Sequence, residues 1–152
     1  MGGEKMKEIL LTVAVGLVLI FGGFSMGFPQ MIKAPSPEVA KEIAAFSGKW
    51  KGAWSGGGVD FTLIVREITA EKALVTYANK GNQNFVEASN DVEARVIPGS
   101  NPKIQFNLAA RGVRGGTVNC WFTFEMQRDL RTLKGVADAG PMSGKATLEK
   151  IE

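Results

Sequence analysis

The chain lacks the side chains on which most enzyme chemistry depends. It contains no histidine and a single cysteine, Cys120, among its 152 residues. The absence of histidine removes the commonest general base and the commonest zinc ligand, and it excludes every Ser-His or Cys-His nucleophile pair. A transition-metal site is therefore not expected. We interpret Cys120 as a small buried hydrophobe, with a reactive thiol or an intermolecular disulfide as the alternatives.

Carboxylates are the remaining candidates for acid–base catalysis, which a pair of acidic side chains can perform. Three groups lie close together in the sequence: Asp60 with Glu67, Glu87 with Asp91 and Glu93, and Glu125 with Asp129. Each falls at a strand end, in a turn or at an outward-facing position, so we interpret them as solvated surface charges. The sequence therefore predicts a protein that is not an enzyme and that needs no metal and no cofactor.

Aromatic side chains could instead line an apolar cavity for a ligand. The predicted ligand-binding residues alternate on one face of their strands: Trp50, Trp54, Tyr77, Phe106 and Phe122. The same side chains could equally fill a core, because the interior of an eight-stranded barrel is just wide enough for side chains or one small ligand. Both a cavity and a filled interior remain open at this point.

Trp121 differs from the other tryptophans, because strand alternation places it opposite Cys120 and Phe122. An outward-facing tryptophan often marks a surface that contacts a partner. We expect a contact with an envelope protein or a glycan near Trp121, or a helix that covers it. The formal net charge of +3 is too small to indicate a nucleic-acid partner.

The elements that must position these residues are strands. Side chains alternate with a period of two from Gly48 onward, most clearly in Lys103–Leu108 and Thr117–Gln127, and Asn84–Ala88 is predicted as a short strand. Glycine-rich and asparagine-rich turns separate the segments. The pattern predicts an all-β fold: an antiparallel meander of about eight strands, closed into a small barrel, with a folded sandwich as the alternative. Closure removes the exposed strand edges.

The N-terminal segment has the three parts of an export signal. Residues 1–27 contain a weakly basic start, the apolar run Ile9–Phe21 and small residues that predict a cut before Phe28. Alternatively, Ile9–Phe28 is about long enough to cross a hydrocarbon core of ~30 Å as a membrane anchor, which would tether the protein. Either interpretation predicts that the rest of the chain lies outside the cytoplasm, in a periplasmic or extracellular location.

The remainder of the chain is predicted to be one domain after a linker. Residues 28–36 are predicted as the linker, and residues 37–152 as a single barrel domain. Ser36-Pro37-Glu38 combines a hydroxyl cap, a proline at the first helical position and an acid in the first turn. These residues predict a short helix before the first strand, with Ser36 as its cap and Pro37 as its first residue.

A short helix followed by Gly48-Lys49-Trp50 and a meander resembles the calycin group of small barrels, which includes lipocalins, fatty-acid-binding proteins and avidins. In lipocalins the tryptophan of the Gly-X-Trp pattern packs across the closed end of the barrel, and a late basic residue stacks on it. The resemblance implies this role for Trp50, with Lys145 or Lys150 as the stacking cation.

Two functional classes follow. The first is an extracytoplasmic, lipocalin-like protein that binds an apolar or amphipathic small molecule among the five predicted aromatic residues. The second is a non-catalytic, envelope-associated structural or interaction module with a filled core. The volume and lining of the barrel interior distinguish them, because a carrier needs an empty pocket and a module does not.

Overall fold

The structure is a computed structural model that describes residues 31–56, 58–140 and 142–152. The predicted leader, residues 1–27, and the first three residues of the predicted linker lie outside the described residues. Within the described ranges, no helix combines the length and the apolar character needed to cross a membrane.

Eight antiparallel strands form a closed barrel in meander order, which confirms the predicted fold class. The strands are β1 Gly48–Trp54, β2 Val59–Ile68, β3 Lys72–Asn79, β4 Ala88–Ile97, β5 Lys103–Arg111, β6 Thr117–Met126, β7 Thr132–Ala139 and β8 Met142–Lys150. The first and last strands close the barrel, since Trp50 is opposite Leu63 of β2 on one side and Lys150 of β8 on the other.

Alternation of side chains along each strand separates the interior from the surface. In β2, Val59, Phe61, Leu63 and Val65 are buried, and the residues between them are more exposed. A register shift after Val65 then returns Ile68 to the interior. A bulge of this kind changes the phase of the alternation by one residue, so an apolar side chain beyond it still faces the core.

One end of the barrel is closed by α1, which comprises Lys41–Ala44. The predicted helix start at Pro37 is wrong: the Val39 amide donates to the Ser36 carbonyl oxygen in a turn, and the helix begins later. Ile43 and Phe46 lie three residues apart and are both buried at this end of the barrel. One helical turn places two residues at this spacing on the same face, so a short helix is sufficient to bury both side chains.

The predicted strand Asn84–Ala88 is also wrong. Asn82 Oδ1 accepts hydrogen bonds from the amides of Asn84 and Phe85, an arrangement that competes with strand pairing. Phe85 makes only an isolated bridge to Gly112, and the last residue of the predicted strand begins β4. The segment therefore forms a loop beside the end of β5.

Strands β4 and β5 pair over three residues only, from Arg95 opposite Gln105 to Ile97 opposite Lys103. These pairs lie towards the closed end. Beyond them the two strands part, and the loop before β4 takes up the space, with the Val86 amide donating to the Arg111 carbonyl oxygen at 3.0 Å. The barrel wall is therefore least continuous near its other end.

Candidate functional site

The barrel is open at the end opposite α1, where the turns that follow β1, β3, β5 and β7 meet. A cavity of about 360 Å³ enters the barrel there. The interior is therefore divided: packed side chains fill the half towards α1, and the cavity occupies the half towards the open end. The sequence left open whether the interior is a cavity or is filled, and each alternative describes one half of the barrel.

Aromatic side chains form the floor of the cavity. Trp54 Nε1–H donates a hydrogen bond to the Tyr77 hydroxyl oxygen at 2.8 Å. Phe61 stacks on Trp54 with ring centroids 4.7 Å apart, and Phe122 lies 4.8 Å from the Tyr77 ring. Such offset and tilted pairs add to the stability that burial alone provides. The floor is thus a closely packed, mainly apolar surface with a hydrogen bond between two of its aromatic side chains.

Glycine at position 135 permits this packing. A Cβ atom on Gly135 would lie 2.8 Å from a ring carbon of Phe124 and 3.2 Å from a ring carbon of Trp54. The first distance is shorter than packed carbon atoms tolerate. The missing side chain on β7 therefore allows the large rings of β1 and β6 to meet.

Small and aliphatic side chains form the walls above the floor. They come from β2, β5, β6 and β7 and include Val59, Leu108, Ala110, Cys120, Ala137 and Ala139. The interior positions of these strands carry larger side chains towards the closed end, such as Leu63, Ile104 and Phe124. The cavity exists because the inward-facing residues become smaller along the barrel axis.

The rim of the cavity is polar and nearly uncharged. Its polar residues are Ser55, Asn79, Asn82, Asn84 and Ser143, and Arg111 is the only charged residue of the lining among the described residues. Asn90 also lines the cavity, but it lies deeper, opposite Tyr77 in the register of β3 and β4. The side-chain oxygens of Asn79 and Asn82 accept backbone hydrogen bonds in the turn between β3 and β4. The NH₂ groups of these two amides remain as donors at the cavity mouth.

Two weakly acidic groups, a phenol and a thiol, line the cavity, and burial affects both. Desolvation raises the pKa of Tyr77 to about 12, although the hydrogen bond from Trp54 acts in the opposite direction. Burial also raises the pKa of the Cys120 thiol, and the negative charge of Asp138 contributes in the same sense. Both groups are therefore neutral at physiological pH, so the interior presents an uncharged, weakly polar surface.

Trp50 lies at the closed end, away from the cavity. It is fully buried, and its Nε1–H donates a hydrogen bond to the Phe46 carbonyl oxygen at 2.8 Å. Lys150 Nζ lies 5.3 Å from the centre of the Trp50 ring and also donates to the Ala45 carbonyl oxygen. Of the two late lysines considered from the sequence, Lys150 is therefore the one that stacks on Trp50.

The structure brings together four of the five predicted site residues. Trp54, Tyr77 and Phe122 line the cavity, and Phe106 packs against Phe122 from the neighbouring strand, with the ring centroids 5.4 Å apart. Trp50 is not among the lining residues. Whether these side chains bind a ligand remains a prediction.

Sequence reasoning missed the walls and the rim. Leu108 and Ala110 lie on the same strand face as Phe106, and Cys120 lies on the same strand face as Phe122, so the alternation also indicates that these three side chains point inwards. The asparagine-rich turn Asn79–Asn84 was interpreted only as a turn. In a meander, alternate turns lie at the same end of the sheet, and this rule would have placed that turn beside the end of β1.

The carboxylates considered for catalysis lie outside the cavity lining. Asp91 pairs with Arg66 at 2.9 Å across the intervening strand β3, whereas Glu93 pairs with Lys72 at 3.0 Å and Glu125 with Lys103 at 3.1 Å between neighbouring strands. Asp129 caps the turn after β6, and its hydrogen bond from the Thr132 hydroxyl is the main reason why its pKa is lowered. Within the described ranges, no group of three metal-ligating side chains converges.

A second concavity of about 340 Å³ lies outside the barrel, near the turn between β3 and β4. Its charged residues are Lys51, Asp60, Lys80 and Glu87. The two cations and the two carboxylates offset one another, so this groove favours neither an anionic nor a cationic ligand. The interior cavity is the better candidate because it has an enclosed apolar floor.

Trp121 lies on the outer wall, as its position in the alternation predicts. Its side chain is 53% exposed, so no described helix covers it. Its neighbours across the strands are Asn107 on β5 and Asp138 on β7.

No protein-family model matches the chain, and no curated protein sequence matches it. Function must therefore be inferred from the cavity and from the outer wall.

Proposed function

We propose that the protein is an extracytoplasmic binding protein that holds one apolar or amphipathic small molecule in the cavity at the open end of the barrel. The observation that supports this proposal is the cavity itself, with about 360 Å³ of space, an aromatic floor, aliphatic walls and a polar rim. Ligand pockets typically have volumes of about 300–1,000 Å³ and combine an apolar lining with a few placed polar groups. The small volume favours a ligand of modest size.

We further propose that the protein is of the lipocalin-like type. The stacking of Lys150 on Trp50 supports this proposal, because it is the arrangement that the resemblance of Gly48-Lys49-Trp50 implies for the closed end. The leader predicted over residues 1–27 supports the extracytoplasmic location. If the leader is retained, it would tether the barrel to a membrane.

Binding of a neutral lipophilic dye tests the function. N-phenyl-1-naphthylamine is expected to bind saturably, with an increase in dye fluorescence and quenching of tryptophan emission, because Trp54 lies at the cavity floor. A Trp121→Phe variant should show the same quenching, since Trp121 is on the outer wall. If the dye does not bind saturably up to its solubility limit, and native mass spectrometry finds no retained lipophile, the proposal fails.

Alkylation of Cys120 gives an independent measure of occupancy. Cys120 lines the cavity and is 5% exposed. Because its pKa is raised, the reactive thiolate is scarce at neutral pH, and alkylation by N-ethylmaleimide is expected to be slow and to accelerate as the pH rises. Saturating dye should slow the reaction further at every pH. Equal rates with and without bound dye would place the dye elsewhere.

A second candidate function is a non-catalytic, envelope-associated module that contacts a glycan through the outer wall. The exposure of Trp121, with Asn107 and Asp138 beside it, favours this candidate, because an aromatic face next to hydrogen-bonding groups suits a sugar ring. Trp121→Ala is expected to weaken retention of the protein on insoluble peptidoglycan by about tenfold, with dye binding unchanged. Unchanged retention would remove this candidate.

A further inference from the structure

The Tyr77 hydroxyl at the floor of the cavity carries a hydrogen-bond donor that the described residues leave unused. The Tyr77 hydroxyl accepts a hydrogen bond from Trp54 Nε1–H at 2.8 Å, and its own proton has no acceptor among the described residues. Tyr77 is 5% exposed and belongs to the cavity lining. A phenol can both donate and accept, and a buried polar group normally uses its donor. The unused O–H of Tyr77 therefore indicates where a ligand's polar atom would lie.

We propose that the ligand enters the cavity with a neutral hydrogen-bond acceptor first, and that this acceptor receives the Tyr77 hydroxyl proton. The corresponding chemical class is an apolar molecule that carries a carbonyl or ether oxygen at one end. This inference rests on the proposed binding function and deepens it, because it specifies the polarity and the orientation of the ligand.

The surroundings of Tyr77 favour a neutral acceptor over a carboxylate. Phe122 and Trp54 flank the phenol ring, with Phe61 5.4 Å and Phe106 6.2 Å from it. The polar neighbour of Tyr77 in the strand register is Asn90 on β4, which is neutral, so the floor combines aromatic rings with an uncharged amide. No cation belongs to this floor, and burying an unpaired carboxylate costs several times more than burying a neutral acceptor. The same burial raises the pKa of Tyr77 to about 12, which shows that a negative charge is disfavoured here.

The rest of the lining fits an apolar body behind the acceptor. Leu108, Ala110 and Ala137 form the wall above the floor, and the only charged residue of the described lining, Arg111, lies at the rim. An acidic ligand would consequently bind in the reverse orientation, with its carboxylate near the rim. A neutral ligand and an acidic ligand would thus bind in opposite orientations. A change at Tyr77 is therefore expected to alter the affinity of the neutral ligand more than that of the acidic ligand.

Three probes with the same number of chain carbons test the inference by displacing N-phenyl-1-naphthylamine. They are methyl octyl ketone, the linear hydrocarbon in which a CH₂ group replaces the carbonyl group, and the fatty acid anion. Each is measured on the wild type and on Tyr77→Phe, so that differences in the water solubility of the probes cancel. The ketone is expected to lose about fivefold to tenfold in affinity on Tyr77→Phe, and the hydrocarbon and the fatty acid less than twofold.

Tyr77→Phe also removes the acceptor of the Trp54 indole, and the freed N–H could then bind the ketone. Trp54→Phe and the double variant Trp54→Phe/Tyr77→Phe form the matched control, since they differ only in the phenol hydroxyl. The affinity for the ketone should be about fivefold to tenfold lower in the double variant than in Trp54→Phe. A measurement that needs no variant is the infrared carbonyl band of the bound ketone, which is expected at lower frequency than in hydrocarbon solvent.

The outcomes separate this inference from the proposed function. If the ketone binds but its affinity is insensitive to the hydroxyl in both comparisons, or its carbonyl band is unshifted, an ordered water or nothing occupies the Tyr77 donor and the inference is overturned. A fatty acid anion that depends on Tyr77 as strongly as the ketone overturns the neutral class. If neither dye nor any of the three probes binds, the proposed function itself fails.

Discussion

Replacing Trp50 by alanine is expected to lower the free energy of unfolding by about 3–5 kcal/mol, which is the usual effect of removing a fully buried tryptophan. Trp50 is completely inaccessible to solvent, donates a hydrogen bond to the Phe46 carbonyl oxygen and packs beneath Lys150. The truncation would leave a cavity at the closed end and would also orphan that carbonyl oxygen. Urea denaturation followed by circular dichroism measures the change.

Trp121→Ala is the matched control, because it removes the same side chain from the outer wall. Trp121 is 53% exposed, so the expected change in the free energy of unfolding is within about 0.5 kcal/mol. Comparable losses in the two variants would mean that Trp50 does not hold the closed end as described here. A large loss for Trp50→Ala alone confirms the role of the closed end in stability.

Replacing Ala137 by phenylalanine is expected to reduce the affinity for N-phenyl-1-naphthylamine by about tenfold or more, because the new ring would occupy the space that the dye needs. Ala137 lies opposite Phe122 on β6 and Gly144 on β8, and it belongs to the cavity lining. The cavity of about 360 Å³ can accept a ring without displacing the core. The fold should therefore survive, and dye titration together with thermal unfolding measures both effects.

Val136→Phe introduces the same side chain one residue earlier on β7. Val136 is 45% exposed and faces outwards, so this variant should bind the dye with wild-type affinity. The pair tests position and not chemistry, since both variants add one phenylalanine to the same strand. Loss of dye binding in both, or in neither, would contradict the assignment of the interior cavity as the binding site.

Much of the fold could be predicted because strand alternation and turn residues are local signals. The two-residue period from Gly48 onward predicted the strands, and their even spacing predicted a closed meander. The boundaries were less predictable where side chains compete with the backbone. Asn82 converts the predicted strand Asn84–Ala88 into a loop by accepting two amide hydrogen bonds.

The candidate site could be predicted only in part. Alternation showed that Trp54, Tyr77, Phe106 and Phe122 face the interior, and the structure places them in one cluster. It did not show at which height along the barrel axis each side chain lies. Trp50 therefore joined the predicted site, although it is only four residues before Trp54 and lies at the opposite end of β1.

The sequence by itself determined which face of each strand is apolar, because the period of side-chain direction is a property of the extended backbone. The tertiary structure decided where the interior is full and where it is empty. That division depends on strand register, on the parting of β4 from β5 and on small residues such as Ala137 and Gly144 lying opposite each other on neighbouring strands. These are relations between distant segments, and no local pattern encodes the space left between them.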